Sequence, residues 1–371
     1  MASQTHAGTT IARCMLVASA VALSLPLYAD ASYHFTNYRG LPPIHVYATT
    51  KVPRGMTPSQ IKKIYGLPLS GGTGTIVIVA AYEDASIEAD LAAFDAAFGL
   101  PPCTSKSGCF TRHPMSKKMT SNSNWTLETS LDVEWAHAIA PGASIVLVEA
   151  PTQSGANLLR ALDYAASLSG VVAISMSWGG PEFPEETSLD DHFKSVSGAA
   201  FFASSGDSGS GVSWPAASPE VIGVGGTTIT DSSSGDFAHE SAWAGSGGGI
   251  SAYEVAPRYQ SLLSIPKAGG MRAVPDVSYD ADPVSGFSIY HAGKWRTVGG
   301  TSAGAPQWAA IEALSKRFGS IDLYRDKARS DASSYFRDIV SGSNGDCGYL
   351  CTARNKYDYI TGLGSPLTAT F

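Results

Sequence analysis

Long apolar runs alternate with amphipathic segments through most of the chain. Residues 75–82 read TIVIVAAY, an unbroken apolar run typical of a strand buried on both faces of a parallel sheet. The next segment predicts a helix over residues 87–98, capped by Asp84 or Ser86. Its apolar positions recur every three or four residues and form one stripe: Ile87, Leu91, Phe94 and Phe98.

The same alternation continues toward the C-terminus. Helices are predicted near residues 126–138, 154–168, 186–197 and 302–318, strands at 144–150, 171–176, 199–204 and 220–225, and a β-hairpin over 286–298 that turns at Ala292-Gly293. Strands that alternate with helices favour an α/β fold with a mainly parallel central sheet and helices on both faces. No repeat or linker interrupts residues 56–371, which we expect to form one domain.

The N-terminal segment has a different pattern. Arg13 precedes an apolar stretch that ends in Ala29-Asp30-Ala31, and this order predicts a secretory signal peptide over residues 1–31. The stretch is too short for a membrane anchor, which needs about 20 apolar residues. We therefore expect an exported protein, extracellular or periplasmic, that is free of the membrane after cleavage. Residues 32–55 carry three prolines and no periodicity, and they predict an extended arm rather than a full-length prodomain.

Composition agrees with export. Only 15% of the residues are charged, with a net charge of −7, and a nucleic-acid partner is disfavoured because it would need a basic face. Four cysteines remain after the predicted cleavage, and an even count in an exported chain indicates disulfides. Cys103–Cys109 with Cys347–Cys351 is the simplest of three connectivities, and the rival interpretation is a four-cysteine metal site.

A glycine-rich turn before the last of these helices carries a candidate nucleophile. Ser302 lies in the segment GGTSAGAP, residues 299–306. A serine at a helix N-terminus presents its hydroxyl beside backbone N–H groups that can bind an oxyanion. The simpler interpretation is that Ser302 only caps the helix. A nucleophilic serine also needs a base, and none of the seven histidines expected in the mature chain lies in a recognisable catalytic context.

Two carboxylates are candidates for that base. Glu128 and Asp132 lie four residues apart in TLETSLDVEWAHAIAPG, so they share one face of the helix predicted there. The neighbouring apolar stripe directs them toward the interior, whereas the helix dipole favours a solvated acidic face. The pattern leaves both interpretations open.

A third carboxylate follows an apolar strand. Asp207 lies in SSGDSGSG directly after residues 199–204, and ligands of α/β folds bind beyond the carboxyl ends of strands. A single aspartate in a Gly-Ser loop is more often a turn residue. Combined with Ser302 and the paired carboxylates, Asp207 becomes a candidate partner for an oxyanion.

These three segments together closely resemble the sedolisins, the serine-carboxyl peptidases, which are secreted acid proteases on a subtilisin-like three-layer fold. The resemblance extends from about residue 56 to residue 366 and keeps the order Glu, Asp, Asp, Ser. It implies that Ser302 is the nucleophile, Glu128 its base, Asp132 the partner that orients Glu128, and Asp207 the oxyanion donor. It also implies a monomer that cleaves protein or peptide substrates, as an endopeptidase or as a tripeptidyl peptidase.

The chemistry explains why a carboxylate replaces histidine. At about pH 3–4 an imidazole is protonated and cannot accept the serine proton, whereas a glutamate is still partly ionised. Glu128 and Asp132 are expected to share a proton and titrate jointly. Asp207 has the opposite requirement, because only a protonated carboxyl donates a hydrogen bond to an oxyanion. We therefore expect peptide hydrolysis through an acyl-enzyme, fastest in acid.

The resemblance also implies a substrate-binding segment. Ser177, Trp178 and Gly179 follow a predicted strand, and the family pattern has these residues line the cleft and pair with the peptide backbone. The alternative is a strand-ending turn with a packed tryptophan.

One structural Ca²⁺ is implied near the C-terminus. The family pattern gives it the carboxylates of Asp338 and Asp358 and the backbone carbonyls of Ile339, Arg354 and Lys356. The family usually has glycine at the last two backbone positions, so basic side chains here weaken cation binding and a positive φ would be strained. The alternative is a metal-free loop.

Two other functions remain open on sequence grounds. As a peptidase, the chain either folds unaided or uses its short arm as a residual inhibitor. The first alternative function is a catalytically silent peptide-binding protein on the same scaffold. A glycosidase also uses two carboxylates, but that interpretation leaves Ser302 and Asp207 unexplained.

Overall fold

The computed structural model describes residues 1, 35, 37–231, 237–315 and 319–371. Apart from Met1, the predicted signal peptide lies outside the described residues, together with its cleavage site and the first residues of the arm. Within the described part of the chain, no helix has both the length and the apolar character needed to cross a bilayer.

Strands and helices alternate through the first two thirds of the chain. The strands are β1 (His45–Thr50), β2 (Thr75–Ala81), β3 (Phe110–Pro114), β4 (Ser144–Ala150), β5 (Val171–Met176), β6 (Gly180–Pro181), β7 (Ala200–Ser204), β8 (Ser213–Trp214), β9 (Val221–Asp231), β10 (Phe237–Ala242), β11 (Gly249–Val255), β12 (Met271–Val274), β13 (Val277–Asp280), β14 (Phe287–His291), β15 (Lys294–Gly299), β16 (Phe336–Arg337) and β17 (Ser365–Pro366). The α-helices are α1 (Pro58–Ile64), α2 (Ile87–Phe98), α3 (Ser123–Ile139), α4 (Gly155–Ser167), α5 (Gly304–Leu314) and α6 (Ser320–Ala328).

The central sheet is mainly parallel, as predicted. In the described residues its eight strands follow the order β10-β9-β7-β5-β2-β4-β3, with β13 beside β9. β10 is antiparallel to β9, and the other neighbours are parallel. Residues 76–81 of β2 are buried, because helices cover the sheet on both faces. Helices α3 and α5 pack against each other, and α5 also packs against β5 and β7.

Local predictions hold with three corrections. The helix predicted over 186–197 is wrong, because Glu186–Phe193 is a 3₁₀ helix without a side-chain cap that passes into extended backbone at Lys194. The helix predicted from Ser302 begins at Gly304, after a 3₁₀ turn over Thr301–Ala303. Ser86 occupies the cap position of α2 but makes no cap hydrogen bond, because its hydroxyl instead approaches Asp84 and Asp90.

Two other predictions are confirmed. The hairpin of β14 and β15 turns at Ala292 and Gly293, whose φ angles of 49° and 76° both lie in the left-handed region that a tight hairpin turn needs. The disulfides Cys103–Cys109 and Cys347–Cys351 are both formed. The rival four-cysteine metal site is therefore excluded.

Candidate active site

The carboxylate pair lies on α3, inside the protein. The helix begins after Asn122, whose side chain accepts hydrogen bonds from the N–H groups of Asn124 and Trp125. Glu128 and Asp132 are 0% and 1% exposed, one helical turn apart. They therefore belong to the buried face of α3, and the solvated acidic face that the sequence left open is not what forms.

Burial changes the protonation of this pair. The pKa of Glu128 is raised well above its ordinary value, first by loss of water and then by the nearby charge of Asp132. Burial also raises the pKa of Asp132, although a hydrogen bond from Ser177 opposes the rise. Two carboxylates that are buried and close together keep one shared proton at a pH at which an exposed pair would be ionised.

Ser177 joins the pair to the nucleophile loop. Its hydroxyl donates to Asp132 Oδ1 over 2.6 Å and lies 3.2 Å from the backbone carbonyl oxygen of Ser302. Strand β5 ends at Met176, so Ser177 comes directly off the carboxyl end of a central strand. The side chain predicted to bind substrate thus contacts the acid pair instead.

Ser302 lies on the 3₁₀ turn between β15 and α5 and is fully buried. Its Oγ has no hydrogen-bond partner among the described residues. The hydroxyl nevertheless faces Glu128 closely enough to moderate the rise in the pKa of that carboxyl. The candidate nucleophile and its candidate base are therefore adjacent, and the serine hydroxyl makes no hydrogen bond that fixes it structurally within the described residues.

Asp207 is held by hydrogen bonds from the same turn. The backbone N–H and the hydroxyl of Thr301 both donate to Asp207 Oδ1 over 2.8 Å, and the Gly206 N–H donates to the Thr301 hydroxyl over 3.0 Å. Oδ1 is fixed as an acceptor by two donors, so a proton on this carboxyl belongs on Oδ2. Burial raises the pKa of Asp207, against the opposing effect of His45 and Thr301.

Gly300 makes this arrangement possible. Its φ is 131°, and a Cβ placed on it would lie 2.6 Å from Asp207 Oδ2 and 2.0 Å from the carbonyl oxygen of Pro43. Any side chain here would push Asp207 and the arm away from the turn. The glycine before Thr301 and Ser302 is thus required by close approach, not only by the turn.

The predicted substrate-binding segment divides into parts with different roles. Trp178 is fully buried and its indole N–H donates to the Val79 carbonyl, so this side chain is a core residue, as the alternative interpretation held. Gly179 faces a cavity of about 450 Å³. We call this cavity the cleft; it is lined by residues 41–45, 179–181, 205–213 and 247, which include Asp207 but neither Ser302 nor Glu128.

Sequence reasoning missed Thr301 and His45. Thr301 was one residue away from the proposed nucleophile, and its double contact with an aspartate 94 positions earlier has no local signal. His45 Nε2 lies 3.1 Å from Asp207 Oδ2, close enough for an ion pair. The histidine stands in the extended arm and could be linked to Asp207 only by the fold.

The predicted calcium loop is filled by donors of the chain. Asp338 Oδ1 accepts a hydrogen bond from the Lys327 ammonium over 2.8 Å, and Oδ2 accepts one from the Lys356 N–H over 2.8 Å. Asp358 accepts from the Arg354 N–H and from donors at residues 360 and 361. Amide hydrogens and an ammonium surround these carboxylates, so the residues present do not fit a Ca²⁺ ion, which needs oxygen ligands.

Comparisons with known proteins bear on the family of the chain. A model of the subtilase family matches residues 119–324. Sedolisin of Pseudomonas sp. (strain 101) is 28% identical over 84% of this chain and 60% of its own length, and kumamolisin of Bacillus sp. (strain MN-32) is 34% identical over 65% of this chain and 49% of its own. The chain thus spans about half the length of the curated relatives it matches.

A solved structure is similar as well. Pseudomonas sedolisin, described as a serine-carboxyl proteinase complexed with two molecules of pseudo-iodotyrostatin, has a TM-score of 0.73 and 28% identity to this chain. The match covers 85% of this chain and 96% of that structure.

Proposed function

The chain belongs to the subtilase family and, within it, to the sedolisins, and we propose that it is a secreted serine-carboxyl peptidase that hydrolyses peptide bonds in acid. We assign this activity to residues 56–371, with proteins or peptides as substrates and a monomer as the working form. The observation that carries the proposal is the convergence of Glu128, Asp132 and Asp207 on one buried serine, Ser302.

In the proposed reaction the Ser302 hydroxyl attacks the scissile carbonyl. Glu128, in its ionised form, takes the serine proton and later gives it to the departing amine, and water then hydrolyses the acyl-enzyme with Glu128 again as base. Asp132 shares a proton with Glu128 and is itself oriented by the Ser177 hydroxyl. Asp207 donates its Oδ2 proton to the oxyanion, which requires a neutral carboxyl.

Acid operation follows from these protonation states. The raised pKa of Asp207 keeps the oxyanion donor protonated to a higher pH than an exposed aspartate would permit. Activity is lost as pH rises through that pKa, because the ionised carboxylate repels the oxyanion. Very low pH removes activity again once the Glu128–Asp132 pair is fully protonated.

Paired substitutions test the assignment. Ser302→Ala and Glu128→Gln are expected to abolish cleavage of an internally quenched peptide at about pH 4. Glu134→Gln is the matched control, because Glu134 lies on the same helix, is fully buried and has a raised pKa, yet its carboxylate accepts the Tyr290 N–H and is not among the candidate catalytic residues. Wild-type activity in Ser302→Ala would contradict the proposal.

The positions at which peptides are cut decide between an endopeptidase and a tripeptidyl peptidase. A digest of an unfolded protein at about pH 3–5, read for cleavage positions, separates internal cleavage from removal of N-terminal tripeptides. An N-terminally blocked peptide that is still cut identifies an endopeptidase. A wild-type chain that binds peptides but never labels with a serine-directed probe would show the silent scaffold instead.

A further inference from the structure

The segment between β16 and β17 carries the two aspartates that resemblance assigns to a calcium ion. We call residues 338–364 the C-terminal loop; Asp338 is its first residue, and Asp358 lies near its end. Strands β16 and β17 pair antiparallel with each other, and the disulfide Cys347–Cys351 closes a short turn between them. The strands therefore fix the two ends of the loop, and the contacts of the two aspartates decide how its interior is held.

A buried lysine reaches this loop from α6. Lys327 lies in the last turn of that helix, and its side chain is 8% exposed. The ammonium donates to Asp338 Oδ1 over 2.8 Å and to the Leu363 carbonyl over 2.6 Å. A lysine is rarely buried to this extent unless it is paired. One positive charge thus binds the first residue of the loop and a residue at its other end.

The end of the loop that Lys327 binds is also bonded to the central sheet. The Leu363 N–H donates to the Asp276 carbonyl over 2.7 Å, and the Ser278 N–H donates to the Gly364 carbonyl over 3.0 Å. Ser278 belongs to β13, which lies beside β9 in the sheet. Loss of the Lys327 contacts should therefore lower the stability of the domain, and not only that of the loop.

The second oxygen of Asp338 is bound by the backbone. Asp338 Oδ2 accepts the Lys356 N–H over 2.8 Å. The φ of Lys356 is 73°, a left-handed conformation that favours glycine and strains a lysine. This agrees with the glycine of the family pattern at the same position. Both oxygens of Asp338 thus accept a hydrogen bond from a donor of the chain.

Asp358 is bound by four donors. It is 1% exposed, and its Oδ1 accepts the N–H groups of Ile360 and Thr361, each over 2.9 Å. Its Oδ2 accepts the Arg354 N–H over 3.1 Å and the Thr361 hydroxyl over 2.9 Å. An ionised carboxylate offers about four lone-pair sites. Four donors fill those sites, so a Ca²⁺ ion would bind Asp358 only by displacing one of them.

The charges at the loop also disfavour a divalent cation. A Ca²⁺ ion takes about six to eight oxygen ligands, and at Asp338 it would share one carboxylate with the Lys327 ammonium. Like charges at one carboxylate repel each other. Two of the three residues whose carbonyls the family pattern uses, Arg354 and Lys356, direct their N–H groups at the aspartates.

A small cation nevertheless has access to this place. Lys327, Asp338 and Lys356 all line a cavity of about 830 Å³. An ion in solution can reach Asp338 through this cavity while the loop stays folded. A binding measurement on the folded protein therefore reports the preference of the site itself.

We propose that the Lys327 ammonium replaces the calcium ion of the family pattern as the partner of Asp338, so that the C-terminal loop is held without a divalent ion. The chain keeps both carboxylates and supplies their partners itself: an ammonium and an amide for Asp338, and three amides and a hydroxyl for Asp358. This replacement goes beyond the proposed peptidase function and does not depend on it, because stability and ion binding are measured without catalysis.

Thermal unfolding measures the lysine contacts. Lys327→Met keeps a long side chain but removes its charge, and we expect Tm to fall by about 3–5 °C through loss of two charge-assisted hydrogen bonds. Arg325→Met is the matched control on the same helix. Arg325 is 61% exposed and pairs with Asp322 over 3.3 Å, so its replacement should change Tm by no more than about 1 °C.

Calcium titration measures the replacement directly. Isothermal titration of the wild type with Ca²⁺ at about pH 7 should show no saturable binding up to about 5 mM. A ligand that binds the folded state raises Tm, so neither a chelator nor about 5 mM Ca²⁺ should move the wild-type Tm by more than about 1 °C. Asp338→Asn identifies the place of any binding, because an ion held by this carboxylate is lost with its charge.

The outcomes separate the ammonium from the ion. A wild-type Tm that ignores chelator and Ca²⁺, together with a lower Tm in Lys327→Met, supports the replacement. A wild-type Tm that falls with the chelator overturns it, and so does saturable Ca²⁺ binding that Asp338→Asn abolishes. A Lys327→Met variant as stable as the wild type also overturns it. If Lys327→Met does not fold, the titration and the chelator experiment on the wild type decide.

Discussion

Two aspartates of this protein each meet one basic side chain, in settings that differ in every other respect. Asp207 meets His45 at the mouth of the cleft, where the imidazole is 52% exposed and belongs to a separate arm. Asp338 meets Lys327, which is 8% exposed and emerges from a helix that packs on the same C-terminal region. The hydrogen bond with Asp207 raises the pKa of His45, and burial raises the pKa of Asp207. The contact of His45 with Asp207 is therefore expected to depend on pH.

Alanine at the two aspartates should separate these roles most strongly. Asp207→Ala removes the oxyanion donor, and we expect kcat to fall by about 10²–10³-fold. Asp338→Ala leaves kcat unchanged and lowers Tm, because it strands the Lys327 ammonium. Steady-state kinetics and thermal unfolding of both variants measure the contrast. A loss of kcat in Asp338→Ala would contradict the assignment of separate roles to the two aspartates.

His45→Lys places a lysine ammonium beside Asp207, the same kind of cation that contacts Asp338 in the C-terminal loop. A persistent positive charge stabilises the ionised form of Asp207, so the acid needed for activation increases. We expect the pH at half-maximal activity to move about one unit lower. The pH profile of kcat/KM at low substrate measures it. An unchanged profile would mean that His45 does not control the protonation of Asp207.

Stability should depend on pH through the buried carboxyls. Glu128, Asp132, Asp207 and Glu134 all have raised pKa values in the fold because of burial. A raised folded pKa contributes stability that is complete below the unfolded pKa and is lost as pH rises through the folded value. We expect Tm to fall by about 5–10 °C between pH 4.5 and pH 8.

The opposite trend would contradict that linkage. The chain has few basic residues, which limits repulsion between positive charges once the carboxylates are protonated. A Tm that drops sharply below about pH 4 would therefore remove acid adaptation as an explanation for the sparse charge.

Salt should give the smallest effect and still distinguish the two regions. At 1 M salt the Debye length is about 3 Å, so a half-exposed ion pair is screened and a nearly buried one is not. We expect the pKa of His45, followed by NMR titration, to move toward its ordinary value in 1 M NaCl, because screening weakens the His45–Asp207 contact. The contact in the C-terminal loop is followed by the difference in Tm between Lys327→Met and the wild type. This difference should be the same at low salt and in 1 M NaCl.

Much of the framework was predictable because its causes are local. The run at 75–82 indicates β2 because it is short, apolar and rich in β-branched residues, whereas the stripe at 87–98 indicates α2 because its apolar residues recur at helical spacing. The stretch at 186–197 shows the limit, because a 3₁₀ helix and an α-helix share the same polar pattern over two turns.

The site was predictable only as a set of candidates. Glu128, Asp132, Asp207 and Ser302 stand in recognisable segments, but their burial depends on the sheet and not on their neighbours in sequence. The contacts of Thr301, His45 and Lys327 join distant segments, and no local pattern encodes them. The contact of Lys327 with Asp338 in particular had no signal in the sequence, because a ligand pattern does not reveal which donor the fold will place beside it.

The central claim is an acid-acting peptidase whose nucleophile is Ser302. The most direct measurement is the pH profile of kcat/KM for an internally quenched peptide from about pH 2 to pH 8, with Ser302→Ala measured in parallel. The account predicts a maximum at or below about pH 5 for the wild type and no cleavage by the variant at any pH. A maximum near pH 8, or equal cleavage by Ser302→Ala, would contradict it.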